Sequence, residues 1–150
     1  MIQEFAQAPT CGFRSLAVMS SGGPPAAACN SKVELIEQKR WVVVGRGTNM
    51  VVQQLLGHLR KKGKEVQHVD PYGASGDGTP KTLKDLAPDT VVDVVNLCAK
   101  PEFGEQVIAD CGEIGIKNVF VQPGAGSSEI QRKCEDAGMF VYNGCVLIEA

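Results

Sequence analysis

Again and again along this chain, a short, mainly apolar run of strand length gives way to a stretch with helical periodicity. The runs are "WVVVG", "VVDVVNLC", "NVFVQ" and "MFVYN", and "EVQHVD" reads as a further strand. A run that is apolar throughout, rather than at alternate residues, suits a strand covered on both faces, as in parallel sheets. Strand and helix alternate at least four times, which predicts a parallel sheet with helices on both sides and right-handed crossovers. The expected fold class is therefore α/β, a doubly wound, mainly parallel, Rossmann-like sheet, with strand order 3-2-1-4-5-6.

The helices are legible in the same way. Ser31 followed by Glu34 makes a capping box for a short helix through about Gln38. Val51, Val52, Leu55, Leu56 and Leu59 recur on one stripe, and "RKKG" closes that helix with cations and a glycine. "YGASGDGTP" reads as a loop with a short edge strand near Thr79, and "TLKDL" as one or two helical turns. A helix over 102–114 turns Phe103, Val107, Cys111 and Ile114 inward, and "EIQRKCEDAG" turns Ile130, Cys134 and Ala137 inward. In such sheets ligands bind outside the carboxyl ends of the strands, where the order reverses. That singles out the loops 45–49, 70–73, 99–101, 122–126 and 143–145, with the first, third and fourth nearest the switch point.

Composition narrows the function. With 150 residues the chain suits one domain with a sizeable core. Only 5% of the residues are aromatic and the net charge is −2, so neither base-stacking platforms nor a general polyanion surface is expected, and no nucleic-acid partner. A small phosphorylated ligand stays compatible, because a few backbone amides hold one without a basic surface. The six cysteines form no CxxC and the two histidines are His58 and His68, so no metal centre is expected. The cysteines read as free thiols in a reducing compartment. No apolar run approaches the roughly 18 residues of a membrane span. The first thirty residues carry one acid, Glu4, and one base, Arg14, and read as a flexible or targeting-like tail before a domain over 31–150. A cytoplasmic location is expected, with mitochondrial targeting resting on "FRSLAVM" and its single arginine.

The turn "GRGTNM" after the first buried run carries the ligand question. Gly45 permits a sharp turn, Gly47 a close approach of phosphate to backbone, and the amides of Thr48, Asn49 and Met50 begin a helix whose dipole attracts an anion. Thr48 offers a hydroxyl and Arg46 a charge. Met50 stands where the dinucleotide fingerprint has its third glycine. Asp70, closing the second strand, is placed to grip a ribose in an NAD(P) site, or to cap its own turn. The glycines equally suit a tight turn with no ligand. Cys145 is the one tempting nucleophile, and its activation needs a neighbouring base or cation. The carboxylates suggest no catalytic pair.

Taken in order, the leading helix, "WVVVG", "GKEVQHVDP", "LKDLAPDTVVDVVNLC", "GIKNVFVQPGAGSSEIQRKCEDAGMFVYNGC" and the closing "IE" resemble the CoA-binding domain family. These are small Rossmann-like proteins related to the CoA-binding domain of succinyl-CoA synthetase. The resemblance covers roughly residues 31–150. It implies CoA or an acyl-CoA lying across the strand ends, with Gly45, Arg46, Gly47, Thr48 and Asn49 at the phosphates. Val69 and Pro71, on either side of Asp70, would flank the adenine side, Ala99, Lys100 and Pro101 would follow the next long strand, and Gln122, Gly124 and Cys145 would complete the site. The chain departs from the family in a shorter first loop without its Ser/Arg/Ser set, and in Ala99 with Lys100 where an arginine is usual. The synthetase also needs a phosphorylated histidine from a separate domain, so ligase activity is not expected. The implied role is a non-catalytic carrier, sensor or partner module. An NAD(P)-binding enzyme or sensor using Gly45, Gly47 and Asp70, and a scaffold that has lost its ligand, stand as alternatives. A homo-oligomer or a protein partner is left open.

Overall fold

Trp41, Val42, Val43 and Val44 are exposed to 1% or less, and the strand they form, β1 (Arg40–Gly45), has a parallel neighbour on each side. The computed structural model describes residues 24–76 and 78–150, so the "FRSLAVM" reading lies outside the described residues. Around β1 stand β2 (Glu65–Val69), β3 (Val94–Cys98), β4 (Asn118–Val121) and β5 (Phe140–Asn143), in the order β2-β1-β3-β4-β5. All four pairings are parallel. The doubly wound α/β class is as expected.

The side chains of these strands alternate between two cores. Val42, Val44, Val95, Leu97, Val119 and Val121 face helices α3 (Pro101–Ile114) and α4 (Ser128–Asp136). Trp41, Val43, Val94 and Phe120 face α1 (Lys32–Glu37), α2 (Met50–Lys61) and the short α5 (Val146–Glu149). Each fully buried aliphatic side chain contributes on the order of 1.5–3 kcal/mol relative to exposure. These continuous apolar runs hold the sheet in place and carry the loops at its ends. The sequence reading missed α5, whose four residues are too few to show a period.

The expected strand order needs one correction: among the described residues no edge strand forms near Thr79. Gly73, Gly76 and Gly78 all take left-handed backbone (φ 66°, 66° and 84°), which breaks any extended run there. The far end of the loop instead returns to the end of β2, where the Asp70 N–H donates to the Pro80 carbonyl at 2.8 Å. Removing that strand turns 3-2-1-4-5-6 into the observed five-stranded order. Three residues expected inward also differ. Val51 and Ile114 are 42% and 40% exposed, and Ala137 is exposed. Val51 sits in the first turn of α2, Ile114 at the end of α3 beside left-handed Gly115, and Ala137 is the C-cap of α4, where the stripes run out from under the sheet.

The capping box at α1 forms with a shift of one residue. Ser31 Oγ accepts from the Glu34 N–H at 3.2 Å, while the Glu34 carboxylate accepts from the Asn30 N–H at 2.6 Å. Upstream, the Ala26 N–H donates to Asp93 at 3.0 Å and the Cys29 N–H to Asn118 Oδ1 at 2.8 Å. Residues 26–29 are thereby tied to the amino end of the sheet, ahead of the boundary expected after residue 30. Among the described residues, no helix is long and apolar enough to cross a membrane.

Candidate functional site

In this strand order the switch point lies between the carboxyl ends of β1 and β3. Gly45 stands opposite Cys98 there. A Cβ on Gly45 would lie 2.6 Å from Val52 Cγ2 and 2.7 Å from the Cys98 carbonyl oxygen, so the absence of a side chain lets α2 close onto the sheet. His68 Nε2, from β2, is 2.9 Å from the Gly45 carbonyl. A carbonyl only accepts, so this nitrogen carries the proton and steadies the turn.

The second glycine serves a different purpose from the one its spacing suggests. The Gly47 N–H donates to Asp70 Oδ2 at 3.0 Å, and that carboxylate also accepts from the Ser75 hydroxyl at 2.8 Å and the Ala74 N–H at 3.0 Å. Its other oxygen accepts from the Tyr72 N–H at 2.9 Å, closing an Asx turn. Asp70 is 1% exposed. Burial raises its pKa, but these four hydrogen bonds act the other way and prevail, holding it below the usual carboxylate range. A Cβ on Gly47 would lie 2.0 Å from Ser75 Oγ, so the space at Gly47 is filled by the protein's own loop.

Other donors of the first loop are also committed. The Asn49 N–H donates to the Arg46 carbonyl at 3.0 Å, and the Asn49 side chain accepts from the Val51 N–H at 2.9 Å, capping α2. Gln53 Nε2 donates to the Gly47 carbonyl at 2.8 Å. Among the described residues, the Thr48 and Met50 amides are left as unpartnered donors at this helix start. Arg46 turns back over the Tyr72 ring, 4.1 Å from its centroid. The Tyr72 hydroxyl accepts from the Lys100 N–H at 2.9 Å, and its ring packs on Phe103 with centroids 4.4 Å apart. Tyr72 thus joins the loops that follow β1, β2 and β3.

The carboxyl ends of β4 and β5 are built otherwise. Gln122 Nε2 donates to Asn96 Oδ1 at 3.0 Å, both residues being buried. Beyond Gln122 the chain turns through Gly124 (φ 84°) and Gly126 into α4, whose N-cap Ser127 accepts from the Ile130 N–H at 3.1 Å. A cleft of about 390 Å³ opens here, lined by Gln122, Gly124, Gly126, Asn143 and Gly144 among others. The next loop is held from behind by Glu149. Its carboxylate accepts from the Tyr142 hydroxyl at 2.5 Å and the Cys145 N–H at 3.1 Å and pairs with Lys32 at 3.0 Å. A Cβ on Gly144 would come 2.1 Å from that carboxylate, which accounts for the glycine before Cys145. Cys145 is half-buried, and burial pushes the nearby Cys98 thiol up. Among the described residues, no group of three His, Cys, Asp or Glu side chains could hold a metal ion.

Of the residues singled out from sequence, Gly45, Arg46, Gly47, Thr48, Asn49, Asp70, Pro71 and Lys100 occupy the loops that meet around the switch point. Val69 is fully buried and Ala99 is 6% exposed, so their side chains belong to the core. Pro101 is the first residue of α3. Gln122 and Gly124 line the cleft at the carboxyl ends of β4 and β5. Sequence reasoning missed Ser75, Gln53 and the bracing role of Glu149, and did not single out Tyr72. The closing "IE" pointed to Glu149 without revealing its partners.

A family model described as "CoA binding domain" matches residues 39–150. Among solved structures, a conserved hypothetical protein from Pyrococcus furiosus is 32% identical, with 75% of this chain and 100% of that one covered and a TM-score of 0.63. A hypothetical protein from Pyrococcus horikoshii OT3 is 24% identical over 77% of this chain and 83% of that one, TM-score 0.66. A Thermus thermophilus protein is 21% identical over 77% and 90%, TM-score 0.63. The last two likenesses speak for the fold alone. No curated protein matches the chain.

Proposed function

The chain belongs to the CoA-binding domain family, and on that footing we propose that it binds CoA or an acyl-CoA across the carboxyl ends of the parallel strands, as a non-catalytic carrier, sensor or partner module. The observation that carries this reading is the family match over residues 39–150, a span that contains all five strands and every loop at their carboxyl ends. In this reading the free Thr48 and Met50 amides and the Arg46 guanidinium meet phosphate. Pro71 lies on the adenine side, Lys100 and Pro101 flank the middle of the ligand, and Gln122, Gly124 and Cys145 lie toward its thiol end.

The use Asp70 makes of its carboxylate favours CoA over the NAD alternative. A dinucleotide site needs that acid to accept from ribose hydroxyls, whereas here both oxygens are taken by the chain's own donors. Breaking these bonds to admit a diol would exchange four satisfied donors for two.

The test is a thermal-shift comparison of the purified protein with CoA, acetyl-CoA, NAD and NADP in parallel. A ligand at about 100 times its Kd stabilises by ~2.7 kcal/mol, a readily visible shift. CoA or acetyl-CoA is expected to raise the midpoint while NAD does not. A shift with NAD alone overturns the reading, and no shift with any of the four means that the scaffold has lost its ligand.

A further inference from the structure

Five of the cysteines lie among the described residues, all as free thiols, and they divide by access. Cys29, Cys111 and Cys134 are buried, whereas Cys98 and Cys145 are half-buried. These two also share one end and one face of the sheet. Cys98 is the last residue of β3 and packs toward the core beneath α2 and α5. One step beyond the paired row Leu97–Val121–Asn143 lie Cys98, Gln122 and Gly144. The Gln122 N–H still donates to the Leu97 carbonyl at 2.9 Å and the Gly144 N–H to the Val121 carbonyl at 3.0 Å, so the strand ends stay laced together. Past Gly144 the chain turns back. Val146 is fully buried in the same core cluster as Val43, Val52 and Leu55 of β1 and α2, and α5 packs on α2. To reach that place from the edge strand β5, Cys145 crosses the end of β4 toward Cys98. Burial pushes the Cys98 thiol up, and a charge on Cys145 adds to the effect, as two sulfurs within electrostatic reach require. Neighbouring strands are about 4.8 Å apart, of the order of the roughly 4.4–6.8 Å between Cα atoms that a disulfide spans. The cleft lined by Gln122, Asn143 and Gly144 opens beside the pair. Cys111 and Cys134 also influence each other, but both are fully buried, where no small disulfide reaches them.

We propose that Cys98 and Cys145 form a dithiol with a thiol–disulfide exchange activity of its own, directed at small disulfides, RS–SR, that enter the β4–β5 cleft. Cys145 attacks first, because burial keeps Cys98 the more firmly protonated. Its thiolate bonds to one sulfur of RS–SR, the S–S bond breaks, and the departing RS⁻ takes up the proton that Cys145 gave to solvent. Cys98 then loses its proton and attacks the Cys145 sulfur of the mixed disulfide. The Cys98–Cys145 bond forms, and the second RS⁻ leaves and is protonated. The two protein thiols are oxidised by two electrons and RS–SR is reduced to two RSH, one small disulfide per chain. The activity does not rest on the CoA reading, although CoA disulfide is one member of the substrate class.

The experiment treats the fully reduced whole protein, freed of reductant and kept from air, with CoA disulfide or with glutathione disulfide in parallel. Released RSH is counted, remaining thiols are alkylated, and the protein is weighed and peptide-mapped by mass spectrometry. Wild type is expected to release two RSH per chain, to lose the mass of two hydrogens, and to yield a peptide pair joined through Cys98 and Cys145. Cys98→Ser should stop at the mixed disulfide on Cys145, with one RSH released. Cys11→Ser should behave as wild type. Wild type that stops at a mixed disulfide, joins Cys145 to another cysteine, or reacts with neither disulfide overturns the inference and leaves the CoA reading standing. This wild-type map decides the matter even where Cys98→Ser loses stability. Cross-linking faster with CoA disulfide supports both readings. Equal rates with the two disulfides support the exchange activity and count against the CoA reading.

Discussion

The two ends of the carboxyl edge of this sheet use their glycines in opposite ways. At the β1–β2 corner, Gly47 makes room for the chain's own Ser75 and gives its amide to the buried Asp70. At the β4–β5 corner, Gly124 and Gly126 line an open cleft, and a Cβ on Gly124 would meet nothing within 4 Å. Both corners read in the sequence as glycine-rich turns between a strand and a helix. One is tied shut around an acid and the other is left open. A glycine-rich turn is thus no measure of vacancy until the partners of its amides are known.

This contrast can be broken most directly at Asp70. Asp70→Ala leaves three backbone amides and one hydroxyl without their acceptor, and is expected to cost at least about 3 kcal/mol in urea denaturation. A loss below ~1 kcal/mol would mean that the corner is not held by this carboxylate. The same group gives a pH signature. Its folded pKa lies below the ordinary value, so the stability it supplies is fully present above the unfolded value of about 3.9 and fades as pH falls through the folded one. The stability gap between wild type and Asp70→Asn should therefore be flat from neutral pH down to about 5 and shrink on further acidification.

Gly47→Ala is next in size. Its Cβ would be 2.0 Å from Ser75 Oγ, and overpacking of this kind costs about 1–3 kcal/mol. Adding Ser75→Ala to that variant removes the closest atom and should recover part of the loss, which chemical denaturation of the single and double variants would show. At the open corner, Gln122→Ala strands the buried Asn96 Oδ1 and is expected to cost about 1–2 kcal/mol. Smallest of all is Gly126→Ala. Its Cβ would meet Val121 Cγ1 at 3.1 Å and Asn143 Oδ1 at 3.2 Å, and the exposed Asn143 has room to yield, so the change should stay within about 1 kcal/mol. A cost for Gly126→Ala equal to that of Gly47→Ala would erase the distinction between the corners.

The sheet was legible in the sequence because its signal is local. Runs such as "WVVVG" and "NVFVQ" can only be buried on both faces, and the helical stripes between them fix the crossovers. The edge strand near Thr79 was misread because a polar, glycine-rich stretch carries no period to contradict it, while left-handed Gly73, Gly76 and Gly78 decide the matter in the fold. The site was less legible for a related reason. Spacing placed Gly45, Gly47 and Asp70 at the strand ends, where they are, but the bonds of Asp70 to Gly47 and to Ser75 depend on how the loop after β2 returns. Glu149 illustrates the same limit. Its position next to the last residue of the sequence says nothing of Lys32, to which it is joined across 117 residues of sequence.

The central claim is that a CoA molecule lies across the carboxyl ends of the strands. Amide hydrogen exchange of the whole protein, with and without saturating CoA, tests it most directly. The account predicts added protection in the loops 45–49, 99–101 and 122–126, strongest at the Thr48 and Met50 amides, which lack a partner among the described residues. It predicts no change along residues 26–29 and 89–93, at the amino end of the sheet. Protection confined to that amino end, or exchange unchanged throughout at saturating CoA, would contradict it.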